Sequence, residues 1–274
     1  MGDQNDILSI DVEKVIVGKA GSKAGLVPDF VINYLKRIVH QDEINGYLYK
    51  YHDKTGVDFA KAVLSDMEIS YNIHNDILTD PTRRYIFVSN HPLGGLDGMV
   101  LIAYLGDKFK DIKFVVNDLL MHIKPLEPIF VPINKYGKMR QENAKMIFEA
   151  YNSNAQILNF PAGLCSRKIK GEITDLEWKK SFISKAIEHE RDIVPIFFGG
   201  RNSNFFYRLA NIRKLFGIKF NIETLYLPDE MFKQNRSAFD IYMGEPIPYT
   251  HLKDGRSAAE WTEIIRERCY ALKP

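Results

Sequence analysis

From Tyr85 onward the chain alternates short apolar runs with longer stretches of helical periodicity. The runs at 85–89, 113–116, 129–133, 156–160, 193–198, 220–226 and 239–243 have strand length and strand character. The stretches at 98–105, 140–151, 178–189, 203–216 and 257–272 repeat their apolar residues at helical spacing. Alternation of this kind predicts an α/β fold: a largely parallel sheet flanked by helices. Residues 1–80 read differently. Phe30, Val31, Tyr34, Leu35, Ile38 and Val39 share one helical face, and Phe59, Val63, Leu64 and Met67 repeat the pattern. The punctuation Asp80-Pro81-Thr82 closes this stretch. The expected organisation is an N-terminal helical segment over 1–80 and an α/β domain over 81–274.

In open parallel sheets, ligands sit beyond the carboxyl ends of the strands. Ser89-Asn90-His91-Pro92-Leu93-Gly94-Gly95-Leu96-Asp97-Gly98 follows the first apolar run directly. It places an imidazole and a carboxylate on one glycine-containing loop. A carboxylate beside a histidine fixes its tautomer and stabilises the imidazolium, which makes a general base. No serine or cysteine nucleophile is obviously paired with this histidine, so the simplest chemistry is direct removal of a hydroxyl proton by His91. The plainer alternative is that Asp97 caps the helix that begins near Gly98 and the glycines serve the turn.

A second loop, Phe160-Pro161-Ala162-Gly163-Leu164-Cys165-Ser166-Arg167-Lys168, also follows a strand. Gly163 admits close backbone approach, and Arg167, Lys168 and Lys170 supply cations suited to a phosphate or carboxylate. Lys135, Lys138 and Arg140 lead from a strand into a helix, whose positive end adds to theirs. Val194-Pro195-Ile196 is a strand to which no chemistry is assigned.

Together these blocks resemble the glycerolipid acyltransferase superfamily, which esterifies glycerol-3-phosphate and lysophosphatidic acid. Its first motif resembles Asn90-His91 with Asp97, its second the stretch ending in Arg140. Its third resembles Phe160-Pro161-x-Gly163-x-x-Ser166-Arg167, its fourth Val194-Pro195-Ile196. The resemblance covers residues 85–200. It implies an acyl thioester donor, carried by acyl carrier protein or coenzyme A, and a lysolipid hydroxyl acceptor. It implies His91 and Asp97 as the catalytic pair. Asn90, Gly94, Gly95, Arg140, Gly163, Ser166 and Arg167 are the implied substrate-binding residues, with the Gly94 and Gly95 amides binding the oxyanion. Two departures stand out. Five residues separate His91 from Asp97, where the family usually has four, so the loop must bulge at Gly94-Gly95. Ala162 stands where the family usually carries a glutamate associated with a glycerol acceptor. Both departures resemble the hemolysin-like and bacterial aminolipid O-acyltransferase branch, whose acceptor is an N-acylated amino acid. Three other readings stay open: a lysophosphatidic acid acyltransferase, a thioesterase or lipid hydrolase using the same pair on water, and a non-catalytic membrane-binding protein.

A net charge of +2 gives no reason to expect nucleic acid. No run of about 18 apolar residues suggests a transmembrane helix, and the polar start shows no signal-peptide pattern. Two cysteines, Cys165 and Cys269, point to a reducing compartment. The remaining histidines are scattered, so no metal is expected; the acyl thioester is a substrate, so no cofactor is expected. Residues 193–222 hold Arg201, Arg208, Arg213, Lys214 and Lys219 with no acidic residue. On a helix from Ser203, the side chains Phe205, Leu209, Ile212 and Phe216 share a face flanked by Arg208 and Arg213. That pattern suits a helix lying on a membrane, and equally a helix facing the core. The membrane reading implies a cytoplasmic protein peripheral to the inner face of the cell membrane.

Overall fold

The computed structural model describes residues 9–14, 27–76, 80, 82–117, 120–121, 123–133 and 141–274. After a helical turn at residues 12–14, the described residues form helices α1 (Asp29–Ile38), α2 (Gln41–Lys50) and α3 (Gly56–Asp66). Strand β1 (Ser70–His74) follows, then β2 (Tyr85–Ser89), α4 (Leu96–Lys108), β3 (Ile112–Asn117), β4 (Phe130–Ile133), α5 (Gln141–Asn152) and β5 (Gln156–Asn159). A small hairpin, β6 (Arg167–Ile169) and β7 (Glu172–Thr174), leads to α6 (Ser181–Glu188), β8 (Asp192–Phe198) and α7 (Asn204–Leu215). A 3₁₀ turn (Ile222–Tyr226), α8 (Leu227–Phe232), β9 (Ala238–Met243) and α9 (Ala258–Ala271) complete the order.

Seven strands form one sheet in the order β1-β9-β8-β2-β5-β3-β4. The pairs β8–β2, β2–β5, β5–β3 and β3–β4 are all parallel. At the other edge β9 runs antiparallel to β8, and β1 runs parallel to β9. All five residues of β2 are buried, as expected of a central strand covered on both faces. The period of two sorts them: Phe87, Leu158 and Val194 join α3 and α4 on one side. Ile86, Ile157 and Ile193 join Phe182 and Ile183 of α6 and Trp261 and Ile265 of α9 on the other. Each such side chain contributes about 1.5–3 kcal/mol by leaving water. The two packed layers fix the carboxyl ends of β2, β5 and β8 side by side.

Three elements depart from the sequence reading. The run 220–226, expected as a strand, instead winds into the 3₁₀ turn over Ile222–Tyr226, where the Asn221 carbonyl accepts from both the Thr224 amide (2.9 Å) and the Thr224 hydroxyl (2.6 Å). Residues 70–74, inside the segment read as helical, are instead the edge strand β1. Its half-exposed pattern gives little hydrophobic alternation to read. The hairpin β6–β7 turns on Lys170 and Gly171, both at positive φ (50° and 92°). Among the described residues, no helix is long and apolar enough to cross a membrane.

Candidate active site

The main chain leaves β2 at Ser89, and the next residue continues the sheet with its side chain. The Asn90 carboxamide donates to the Phe198 carbonyl (3.0 Å) and accepts the Phe198 amide (2.7 Å). Asn90 is buried and both of its amide atoms are engaged with β8, so it supports the loop rather than presenting itself to a substrate. The backbone then turns. Gly94 takes φ of 82°, and a Cβ there would lie 2.7 Å from the Leu227 side chain, so only glycine fits. This is the bulge that the longer His–Asp spacing requires.

The bulge brings His91 Nδ1 to 2.9 Å from Asp97 Oδ2. Asp97 is fully buried, in the first turn of α4, and Gly95 rather than Asp97 holds the cap position. Its carboxylate accepts the Leu93 amide (2.9 Å), the Gly94 amide (3.3 Å) and the Gly98 amide (2.9 Å). Burial alone would push this carboxyl up. The His91 charge, the hydrogen bond from His91 and the Leu93 and Gly98 amides outweigh it and hold Asp97 below the ordinary carboxylate range. An ionised Asp97 only accepts, so Nδ1 carries the ring proton and Nε2 presents its lone pair. The ring stacks on Phe160 (centroids 4.1 Å apart, planes at 20°). His91 remains 15% exposed at its side chain, enough for a substrate hydroxyl to reach it.

The Gly94 amide, expected to face an oxyanion, donates to Asp97 instead. The Gly95 amide carries no hydrogen bond among the described residues.

The Phe160–Arg167 loop meets this pair directly. The Ser166 amide donates to the His91 carbonyl at 2.7 Å. The Ser166 hydroxyl donates to Asp175 Oδ1 (2.5 Å), which also accepts the His91 amide (3.2 Å), while Trp178 Nε1 donates to Asp175 Oδ2 (2.9 Å). Asp175 thus ties both loops together. Burial pushes its carboxyl up despite those donors. The sequence reading missed it; the only signal was a tryptophan N–H three residues away, needing an acceptor once buried.

Gly163 sits at φ of 63°, and a Cβ there would have Lys179 Nζ as its nearest neighbour, at 3.7 Å. Lys179 is exposed, and its backbone amide is anchored to the Pro161 carbonyl (3.0 Å). Arg167 is not an open cation. It is buried, with Nη2 on Glu223 Oε1 (2.8 Å) and Nη1 on the Cys165 carbonyl (2.6 Å). Ala162 packs in the core with Trp178, where a carboxylate would be surrounded by apolar side chains. Burial pushes the Cys165 thiol up to about 11, which leaves it inert as a nucleophile. Arg140 lies outside the described residues.

The family model described as "Acyltransferase" matches residues 14–274. A lyso-glycine lipid O-acyltransferase of Bacteroides thetaiotaomicron is 46% identical over 269 residues, covering 98% of this chain and 99% of that protein. A lyso-glycine lipid O-acyltransferase of Phocaeicola vulgatus is 45% identical over 269 residues, covering 98% and 96%. The crystal structure of a 1-acyl-sn-glycerophosphate acyltransferase from Thermotoga maritima is 14% identical, with a TM-score of 0.48 and coverage of 98% and 97%. A histidine hydrogen-bonded to a buried carboxylate, at the strand ends of an α/β sheet, lies inside a match spanning nearly the whole chain, and the chain belongs to the acyltransferase family.

Proposed function

We propose that this chain moves a fatty acyl group from an acyl thioester to the hydroxyl of a lyso-glycine lipid. The observation that carries the reading is the His91–Asp97 pair with Nε2 unengaged, in a chain 46% identical to an enzyme named for that acceptor. His91 Nε2 takes the proton of the acceptor hydroxyl, and the oxygen attacks the thioester carbonyl. Asp97 holds the ring and stabilises the imidazolium. The tetrahedral oxyanion faces the Gly95 amide at the positive end of α4. Collapse expels the thiolate of coenzyme A or acyl carrier protein, which takes the proton back from His91. No acyl-enzyme forms.

A glycine attached through its nitrogen presents one carboxylate, not a phosphate. Lys179 beside Gly163 is an exposed cation suited to it. The engagement of Arg167 with Glu223 argues the same way, since it removes the guanidinium that a phosphate would seek.

A lipid acceptor also calls for a surface that meets a bilayer. Helix α7 buries Phe206, Tyr207 and Ala210 and turns Phe205, Ile212 and Phe216 outward, with Leu209 half-buried. Leu215, Ile218 and Phe220 extend this exposed apolar surface, and Phe30 and Tyr34 of α1 add to it through Tyr226, which contacts both Tyr34 and Phe205. Exposed Arg208, Lys214 and Lys219 lie among them. We read this as a peripheral membrane face, reached from the cytoplasmic side.

Purified protein supplied with an acyl thioester and lyso-glycine lipid should yield the O-acylated glycine lipid by mass spectrometry, and His91→Ala should not. Free fatty acid released at the same rate with and without acceptor would replace this reading with a hydrolase. Preferential acylation of lysophosphatidic acid would replace the acceptor.

A further inference from the structure

Glu223 has no part in the chemistry above, yet it is fully buried between two arginines. Its Oε1 accepts from Arg167 Nη2 and its Oε2 from Arg213 Nε, each at 2.8 Å. Arg213 belongs to α7 and also donates to the Ile218 carbonyl (2.7 Å). The Arg167 guanidinium lies over the Phe206 ring, 5.3 Å from its centroid. Arg167 directly follows Ser166, whose amide is bonded to the His91 carbonyl. The charge of this cluster therefore acts within the loop that borders the base. Two arginines and one carboxylate leave a single positive charge in surroundings where water screens poorly.

We propose that Glu223 is a specificity-determining residue, which lowers the charge behind the acceptor loop from two positive units to one and so weakens the pull on a phosphate headgroup more than the pull on a carboxylate. The inference rests on the acceptor reading above. A phosphate monoester carries close to two negative charges at neutral pH, so it feels any change in this charge about twice as strongly as a carboxylate does. Removing the Glu223 charge favours both anions, the phosphate more. Removing the Arg213 charge disfavours both, again the phosphate more. Glu223 acts through Arg167 and touches no reacting atom.

The test is a charge series read as a ratio: kcat/KM for lysophosphatidic acid over kcat/KM for lyso-glycine lipid, in one vesicle composition. Glu223→Gln should raise the ratio on the order of tenfold, and Arg213→Gln should lower it by a similar factor. Glu223→Asp, which keeps the charge, should stay near the wild-type ratio. Glu223→Gln leaves two buried guanidinium groups sharing a neutral partner and can fail to fold. Arg213→Gln keeps the Arg167–Glu223 pair, so its ratio decides the matter alone in that case. A purely structural cluster lowers both acceptors together, and a ratio fixed across the series overturns the inference. A wild-type enzyme inactive on lyso-glycine lipid overturns the acceptor reading and this inference with it. An active wild type with an unmoved ratio overturns only this inference.

Discussion

The two loops at the strand ends are held in opposite ways. In the Ser89–Gly98 loop the carboxylate of the His–Asp pair is closed locally: Asp97 collects His91, Leu93, Gly94 and Gly98, all within six positions. The Phe160–Arg167 loop is held from outside. Asp175 holds the Ser166 hydroxyl from nine positions away, and Glu223 reaches Arg167 across 56. On the proposed mechanism, the local ties of Asp97 set the geometry of proton transfer, and a second loop pinned by later residues can change its preference for an acceptor while His91 stays in place.

The largest expected effect is at the His91 loop. His91→Ala should lower kcat/KM by about a thousandfold, and Asp97→Asn by about a hundredfold or more, through loss of the correct tautomer. Steady-state kinetics on a folded variant checks both. A loss of tenfold or less in His91→Ala would break the contrast by removing the base from the mechanism.

Stability separates the loops next. Gly94 and Gly163 both have positive φ, but a Cβ at Gly94 meets Leu227 and Cys165, whereas at Gly163 it meets only the end of Lys179. Gly94→Ala should cost about 2–3 kcal/mol and Gly163→Ala about 1 kcal/mol, measured by denaturant unfolding. Equal costs would mean the first loop relaxes as readily as the second.

The smallest effect is one of sign. Asp97 is held below 3.8, so its stabilisation is complete above that pH and is lost as pH falls through its folded value. Asp175 is raised above 3.8. Its ionised form therefore penalises the fold at neutral pH, and the penalty fades as pH falls toward 3.8. Unfolding between neutral pH and the acid limit should show wild type gaining on Asp175→Asn as pH drops. Its lead over Asp97→Asn should hold across that range and shrink only below pH 3.8. Parallel pH profiles for the two variants would refute the assignment.

The same contrast governs what could be read in the sequence. The strand alternation showed the parallel sheet because buried central strands such as β2 are short unbroken apolar runs. The edge strand β1 escaped because its exposed side chains blur the pattern. His91 and Asp97 were legible as a pair because the loop joining them is short. Asp175 and Glu223 were not, because a lone carboxylate declares its role only when folding places it beside a distant donor. Arg167 looked like an open cation for the same reason: its partner is 56 residues away. The apolar face of α7 was legible as a face, but whether it met core or solvent depended on which side packs Phe206 and Tyr207.

The Asn90 carboxamide lends the sheet a rung made of side chain, so the main chain departs one residue before the hydrogen-bond ladder does. The start of the His91 loop is clamped there, and its end is clamped at Asp97 in the helix. Any change in length between these fixed ends is absorbed in the intervening turn, and the strand register never learns of it. A chain with five residues in that turn can thus present the same imidazole as a chain with four, leaving loop length free to drift while the ring keeps its place.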